Sequence, residues 1–291
     1  MKILITNDDG YGHPGHRSLR KILEKLGHEV WSIAPRENQS GVGMKLTLGK
    51  SLEFQVLDRR SWSCSGTPVD CVLFALHGIL PFRPDAVISG INAGANLSDD
   101  LWYSGTAGAA REACKWGLPS LALSYSASPP YREPDFIAFA ALLEQHLDNL
   151  FQACELTESS GAESGSFMGF LNVNIPADCN SGEICLAGRF EQRHYQNTLQ
   201  KVGEDQYMLC GKIDPKRSPS PGVDTLIDAR SQISISLGSF HALQPLPYQS
   251  ALYSASNQAD GSLPEPLCLR PSERAERAMT QIVRAGIFGT K

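Results

Sequence analysis

Two kinds of hydrophobic pattern alternate along the first half of this chain. Lys2-Ile3-Leu4-Ile5-Thr6 is a short apolar, β-branched run stopped by the turn formers Asn7, Asp8, Asp9 and Gly10, which reads as a buried strand. From His13 to Leu26 the apolar residues Leu19, Ile22, Leu23 and Leu26 recur at helical spacing. Glu29 to Ala34 reads as a second strand, so the opening segment predicts a βαβ unit with its loops at the carboxyl edge of a parallel sheet.

The alternation continues. Met44–Leu48 and Leu52–Leu57 read as short strands of a hairpin arm. A helix is expected from Pro68, with Thr67 as its N-cap. Pro84–Ser89 reads as a buried strand running into the loop GINAGANLSDD, and Ser104–Trp116 as a helix of small residues stopped by Gly117. Leu118–Tyr125 is the next expected strand, Pro134–Cys154 the next helix and Phe167–Ile175 a further strand. This order predicts an α/β fold, a doubly wound, Rossmann-like, mostly parallel sheet. Beyond Cys185 the order fails: a Pro/Ser loop at 214–222, a strand at Gln232–Leu237 that alternates as if exposed, and a terminal helix at Glu273–Phe288. The expected division is a Rossmann-like core over 1–185 and a C-terminal extension over 186–291, a hairpin and helix that form an appendage or an oligomerisation element. The segment 155–166 is a polar, low-complexity loop.

The formal net charge of −5 argues against nucleic acid as a bulk partner, because backbone binding requires concentrated Lys and Arg. No window has the apolar length of a membrane span. The eight cysteines contain no CxxC pair; Cys71, Cys114 and Cys154 read as small core residues. Cys179 and Cys185 are close enough in sequence to bridge but are expected as free thiols, with the cytoplasm as compartment.

The chemistry gathers in four loops of one predicted sheet edge. Asp8 and Asp9 are adjacent carboxylates, which repel unless a positive group lies between them. Either could instead serve only as a helix cap or turn former. Ser40 lies in QSGVG, Asn92 and Asn96 in SGINAGAN, and Ser104, Gly105 and Thr106 open a helix. A helix N-terminus offers free N–H groups to an anion. Oxygen-only donors suit magnesium or manganese rather than zinc, and a cation beside an anion hole is equipment for phosphoryl-ester cleavage.

The motifs ILITNDDG, QSGVG, GTPVDCV (Gly66–Val72), SGINAGAN (Ser89–Asn96), YSGTAGAA (Tyr103–Ala110) and NVNIP (Asn172–Pro176) resemble the SurE family of survival-protein nucleotidases. The resemblance implies a metal-dependent 5′(3′)-nucleotidase acting on nucleoside monophosphates, and leaves open whether short polyphosphate is also cleaved. It implies one divalent ion per subunit, Mg2+ or Mn2+, held by Asp8, Asp9, Ser40 and Asn96, with Asn92 and Ser104 to Thr106 near the phosphate. It also implies a homodimer or homotetramer that exchanges the C-terminal extension. In the family's late segment Asp224 fits the pattern, whereas Arg230 and Ser231 do not.

Three rival readings carry different chemistry. Gly10, Gly12 and Gly15 spell a dinucleotide fingerprint, with Glu37 placed as a ribose-binding acid, but Asp8 and Asp9 would then face a pyrophosphate. A receiver-like signalling domain has the acidic pair but would need a phosphoacceptor aspartate where Ser89 and Gly90 stand. A catalytically silent relative would bind metal or nucleotide without turnover. His13 and His16 are expected as solvent-facing helix residues.

Overall fold

The computed structural model describes residues 1–127, 129–155, 169–179, 184–187, 195–213 and 233–239. The segments read at 156–166 and 214–222, the helix at 273–288, and Asp224, Arg230 and Ser231 lie outside the described residues.

Strand β1 (Lys2–Thr6) is followed by α1 (Pro14–Lys25) and β2 (Glu29–Pro35), with β1 parallel to β2 from Lys2↔Glu29 to Ile5↔Ser32. β3 (Phe54–Asp58), β4 (Ser61–Cys64), α2 (Pro68–Phe74), β5 (Ala86–Ala93), α3 (Gly105–Lys115), β6 (Ser120–Ser126), α4 (Ala138–Glu155) and β7 (Gly169–Pro176) follow in turn. Then come β8 (Ile184–Ala187), β9 (Tyr195–Lys201), β10 (Tyr207–Ile213) and β11 (Ile233–Ser239). Among the described residues the main sheet runs β3-β4-β2-β1-β5-β6-β7-β11-β8, and β9 and β10 pair separately. β4, β2, β1, β5, β6 and β7 are mutually parallel. The chain winds outward from β1 in one direction through β2 and from β5 in the other. The β1/β5 boundary is therefore the topological switch point, where such sheets leave a crevice at their carboxyl ends.

Side-chain alternation on β1 assigns the two layers. Ile3 and Ile5 face Leu19 and Leu23 of α1 and Phe139, Leu142 and Leu143 of α4. Leu4 faces the opposite layer, with Cys71 and Val72 of α2 and Ala109 and Ala113 of α3. Burying each Leu or Ile here contributes roughly 1.5–3 kcal/mol. The small residues of α3 let that helix lie close to its neighbours: a Cβ on Gly108 would stand 2.6 Å from the Gly43 carbonyl oxygen.

Four expectations change. Met44–Leu48 is not a strand: Thr47 gives its N–H (2.9 Å) and hydroxyl (2.7 Å) to Asp70 instead of to a ladder partner. The same Asp70 accepts from Thr67 N–H at 2.9 Å and completes the capping box of α2. β3 pairs instead with β4, a strand too short and polar to stand out in the sequence. The expected helix at Pro134 is split, with a 3-10 turn at Glu133–Phe136 before α4. Of the strand expected at Gln232–Leu237, residues 233–236 are buried, not exposed, because β11 lies between β7 and β8.

The two histidines of the first helix do not face solvent. His16 is 2% exposed, on the same stripe as Leu19 and Leu23, and its Nε2 lies 2.7 Å from Ser32 Oγ. Burial, reinforced by the charges of Arg20 and His13, pushes its pKa down to about 4. An unfolded chain protonates this imidazole below about pH 6.5, so its contribution to stability is present above that pH and is lost toward pH 4. The expected outcome is that His16→Gln, compared with wild type by thermal melting, gains relative stability as pH falls from 6.5 to 4. A constant difference across that range would contradict this account. His13 is half-buried and caps α1, its Nδ1 accepting from Gly15 N–H at 3.1 Å.

Candidate active site

The four loops meet at the β1/β5 switch point. Asp8 and Asp9 follow β1. The Asp8 carbonyl accepts from Gln39 N–H at 2.6 Å, which ties the first loop to the second. The Thr106 hydroxyl donates to Asp8 Oδ1, and Gly105 packs against the Asp8 side chain, which ties the first loop to the start of α3. Asp9 Oδ2 accepts from Ala93 N–H at 2.9 Å, which ties it to the end of β5. The second loop joins α3 through Gly43 N–H to the Tyr103 carbonyl, 2.9 Å.

Both carboxyls are held above their ordinary range. Burial pushes Asp8 up to about 6; the Thr106 hydroxyl opposes this and the Asp9 charge adds to it. Burial also raises Asp9, against the Ala93 hydrogen bond. The nearest basic group is His13, with Nδ1 3.7 Å from Asp9 Oδ2. That nitrogen accepts from Gly15, and burial and the Arg17 charge lower the His13 pKa against the pull of Asp8. Among the described residues no Lys or Arg pairs with Asp8 or Asp9. Nor does any group of three His, Cys, Asp or Glu come together, so a cation here would draw its remaining donors from amides, hydroxyls or water.

Asn96 is buried and gives Nδ2 to Ser124 Oγ at 2.8 Å, leaving Oδ1 without a hydrogen-bond partner among the described residues. Asn92 is buried and gives Nδ2 to the Gly94 carbonyl at 2.8 Å. Ser104 caps α3, its Oγ accepting from Ala107 N–H at 3.0 Å, which leaves the hydroxyl proton free to donate. The first-turn N–H groups of Gly105 and Thr106 have no helical acceptor. Ser40 is the exception: it sits in the adjoining turn with its side chain exposed and its N–H bonded to Asn38 Oδ1 at 2.8 Å. Reasoning from the sequence did not single out Asn172 and Asn174 of β7, whose side chains reach the Asn96 loop; two polar residues at alternate positions in an otherwise apolar strand were the available signal.

Thr106 acts on Asp8 rather than presenting its hydroxyl to a ligand. Thr106→Val removes the donor that favours the ionised carboxylate. The expected result is an Asp8 carboxyl held further above its ordinary range, read by NMR titration of the side-chain carboxyl carbon.

An open α/β sheet with polar loops and a helix N-terminus gathered at its switch point defines a class, proteins that bind a small ligand at the carboxyl ends of their strands. A family model described as Survival protein SurE matches residues 3–197, and the chain belongs to that family. It is 48% identical over 241 residues to the 5′-nucleotidase SurE of Geotalea daltonii, covering 81% of this chain and 91% of the relative. It is 45% identical over 246 residues to the 5′-nucleotidase SurE of Desulfovibrio desulfuricans, with the same two shares. The crystal structure of the SurE protein from Aquifex aeolicus is similar at a TM-score of 0.66 and 27% identity, covering 88% of this chain and 100% of that one. Among the described residues no helix is long and apolar enough to cross a membrane.

Proposed function

We propose that this chain is a metal-dependent phosphomonoesterase that hydrolyses nucleoside 5′- and 3′-monophosphates to nucleoside and phosphate, with short polyphosphate as a secondary substrate. One observation carries the reading: two adjacent carboxyls at the switch point are both pushed toward protonation with no Lys or Arg paired to either among the described residues, Asp8 lying against the first turn of α3 and Asp9 at the end of β5. Such a pair fits a hard divalent ion, which relieves both the burial cost and the mutual repulsion. The relatives named 5′-nucleotidase supply the substrate class.

Asp8, Asp9, Asn96 Oδ1 and Ser40 would hold one Mg2+ or Mn2+. When bound, that ion lowers the pKa of water and neutralises phosphoryl charge. Thr106 keeps Asp8 ionised and oriented, and the Ala93 N–H does the same for Asp9. The Ser104 hydroxyl, the Gly105 N–H and Asn92 donate to the phosphoryl oxygens, and Thr106 turns to Asp8 beside them. These donors are fixed before the substrate arrives, so they lose little reorganisation energy as charge develops. One of the two carboxylates orients the attacking water.

In this reading residues 1–185 are the catalytic core. Residues 186–291 build a cytoplasmic homodimer or homotetramer, with the β9–β10 arm as a subunit contact. Support comes from Leu199, Tyr207, Met208 and Leu209, large apolar side chains exposed on both arm strands. The testing experiment is phosphate release from a panel of 5′- and 3′-nucleoside monophosphates with added manganese. Turnover of at least one nucleotide supports the reading, and release from none of them by folded protein overturns it.

A further inference from the structure

Strand β7 holds the Asn96 loop from behind. Asn174 pairs with the Asn96 peptide group at two points: its Oδ1 accepts from Asn96 N–H at 2.8 Å, and its Nδ2 donates to the Asn96 carbonyl at 3.1 Å. This is how a neighbouring strand reads a backbone, here done by one side chain. Asn172, two residues earlier on the same face, donates Nδ2 to the same carbonyl at 2.9 Å and lies 3.3 Å from Ser236 Oγ of β11. Ser124 of β6 accepts the Asn96 Nδ2 at 2.8 Å. The β6–β7 register sets Ser124 opposite Asn174, and the β7–β11 register sets Asn172 opposite Ser236.

These groups are costly where they stand. Asn172, Asn174 and Ser124 are all buried in the middle of the sheet, where strands covered on both faces normally carry apolar side chains. Among the described residues the Asn172 Oδ1 has no partner, and a buried polar atom without one is destabilising. Fold stability therefore does not account for the set. What it does achieve is specific: the N–H, the carbonyl and Nδ2 of Asn96 are all engaged, and among the described residues Oδ1 is the one polar atom of that residue left over.

We propose that Asn174, Asn172 and Ser124 are positioning residues that fix the backbone and amide of Asn96 so that its Oδ1 is presented to the divalent ion. This rests on the cation site read above. Asn174 carries the largest share, because it holds both ends of the Asn96 peptide group. The Asn172 bond to the carbonyl is partly redundant with it.

The test is direct manganese binding to the full-length protein, read by electron paramagnetic resonance of free Mn2+, beside thermal melts of the metal-free protein. Asn174→Ala is expected to weaken the manganese Kd about tenfold or more, as for groups that orient a metal ligand. Ser124→Ala, which removes a single hydroxyl and little volume, is expected to weaken it less, in the same direction. A lower melting temperature with wild-type manganese affinity in both variants would mean a purely structural role and would overturn the proposal. If Asn174→Ala does not fold, Ser124→Ala decides: weakened binding supports the proposal and unchanged binding overturns it. Asp9→Asn separates this from the site reading. If that variant binds manganese like wild type, the cation site itself falls, and the positioning role with it.

Discussion

Asp9→Asn is expected to lower kcat on a nucleoside monophosphate by about a thousandfold, while the metal-free protein melts no lower than wild type. The carboxylate is needed as an anionic oxygen donor, and asparagine keeps its shape and its acceptor for Ala93 N–H but not its charge. Stability moves the other way because the folded chain holds two buried carboxylates side by side. For Asp8 the sign is definite. Its pKa is raised to about 6, so its contribution to stability is fully present below about pH 4 and is lost as pH rises through about 6. The difference amounts to about 3 kcal/mol in the metal-free protein. Asp8→Asn removes that penalty, and the variant should gain on wild type in metal-free melts between pH 4 and 7. Added manganese should reverse the order by stabilising wild type and not the variants. A variant at position 9 with normal turnover, or one that unfolds without metal, would contradict this account.

Gly105→Ala should strongly reduce catalysis by a single added methyl group. A Cβ at position 105 would stand 2.8 Å from Asp8 Cβ, 2.9 Å from Asp8 Oδ2 and 3.0 Å from Val42 Cγ1. Asp8 is anchored by its carbonyl to Gln39 and by Oδ1 to Thr106, so it cannot yield without breaking the link between two loops. Displacing a reacting group by an ångström costs on the order of a hundredfold in rate. Alanine is also the better helix former, by about 1 kcal/mol in a helix interior, which offsets part of the steric cost to the fold. The expected outcome is kcat reduced about a hundredfold, with a folded protein whose manganese affinity is weakened. Gly78→Ala is the control, because nothing lies within 4 Å of its added methyl, and it should leave kcat unchanged. Equal effects at both positions would show that the loss at 105 is not local.

The sequence carried most of the core because its signals were redundant. β1 is an apolar run bounded by turn residues, α1 has apolar spacing with a proline at its start, and α2 has a capping Thr67 whose Asp70 partner lies three residues on. Elements defined by tertiary partners were harder to read. Met44–Leu48 alternates like a strand, yet its Thr47 is bound to Asp70, which no local pattern reveals. β11 alternates Ile and Ser as an exposed strand would, and is buried only because β7 and β8 flank it. His16 was legible in principle: it shares the spacing of Leu19 and Leu23, and its polarity concealed that.

For the site, the motifs pointed to loops that the fold brings together but not to the contacts within them. Ser104, Gly105 and Thr106 read as one anion-binding turn. In the fold Thr106 turns to Asp8, Ser104 caps the helix, and Gly105 is small because Asp8 lies against it. Asn172 and Asn174 matter only because β7 runs beside β6 and beneath the Asn96 loop, a relation that exists in space and not in spacing.

The most direct test of the central claim is phosphate release from one good nucleoside monophosphate by a single preparation, stripped with chelator and then titrated with manganese. The account predicts no release from the stripped protein and full restoration as manganese saturates one site per chain. Unchanged release after complete stripping, verified by metal analysis, would contradict it.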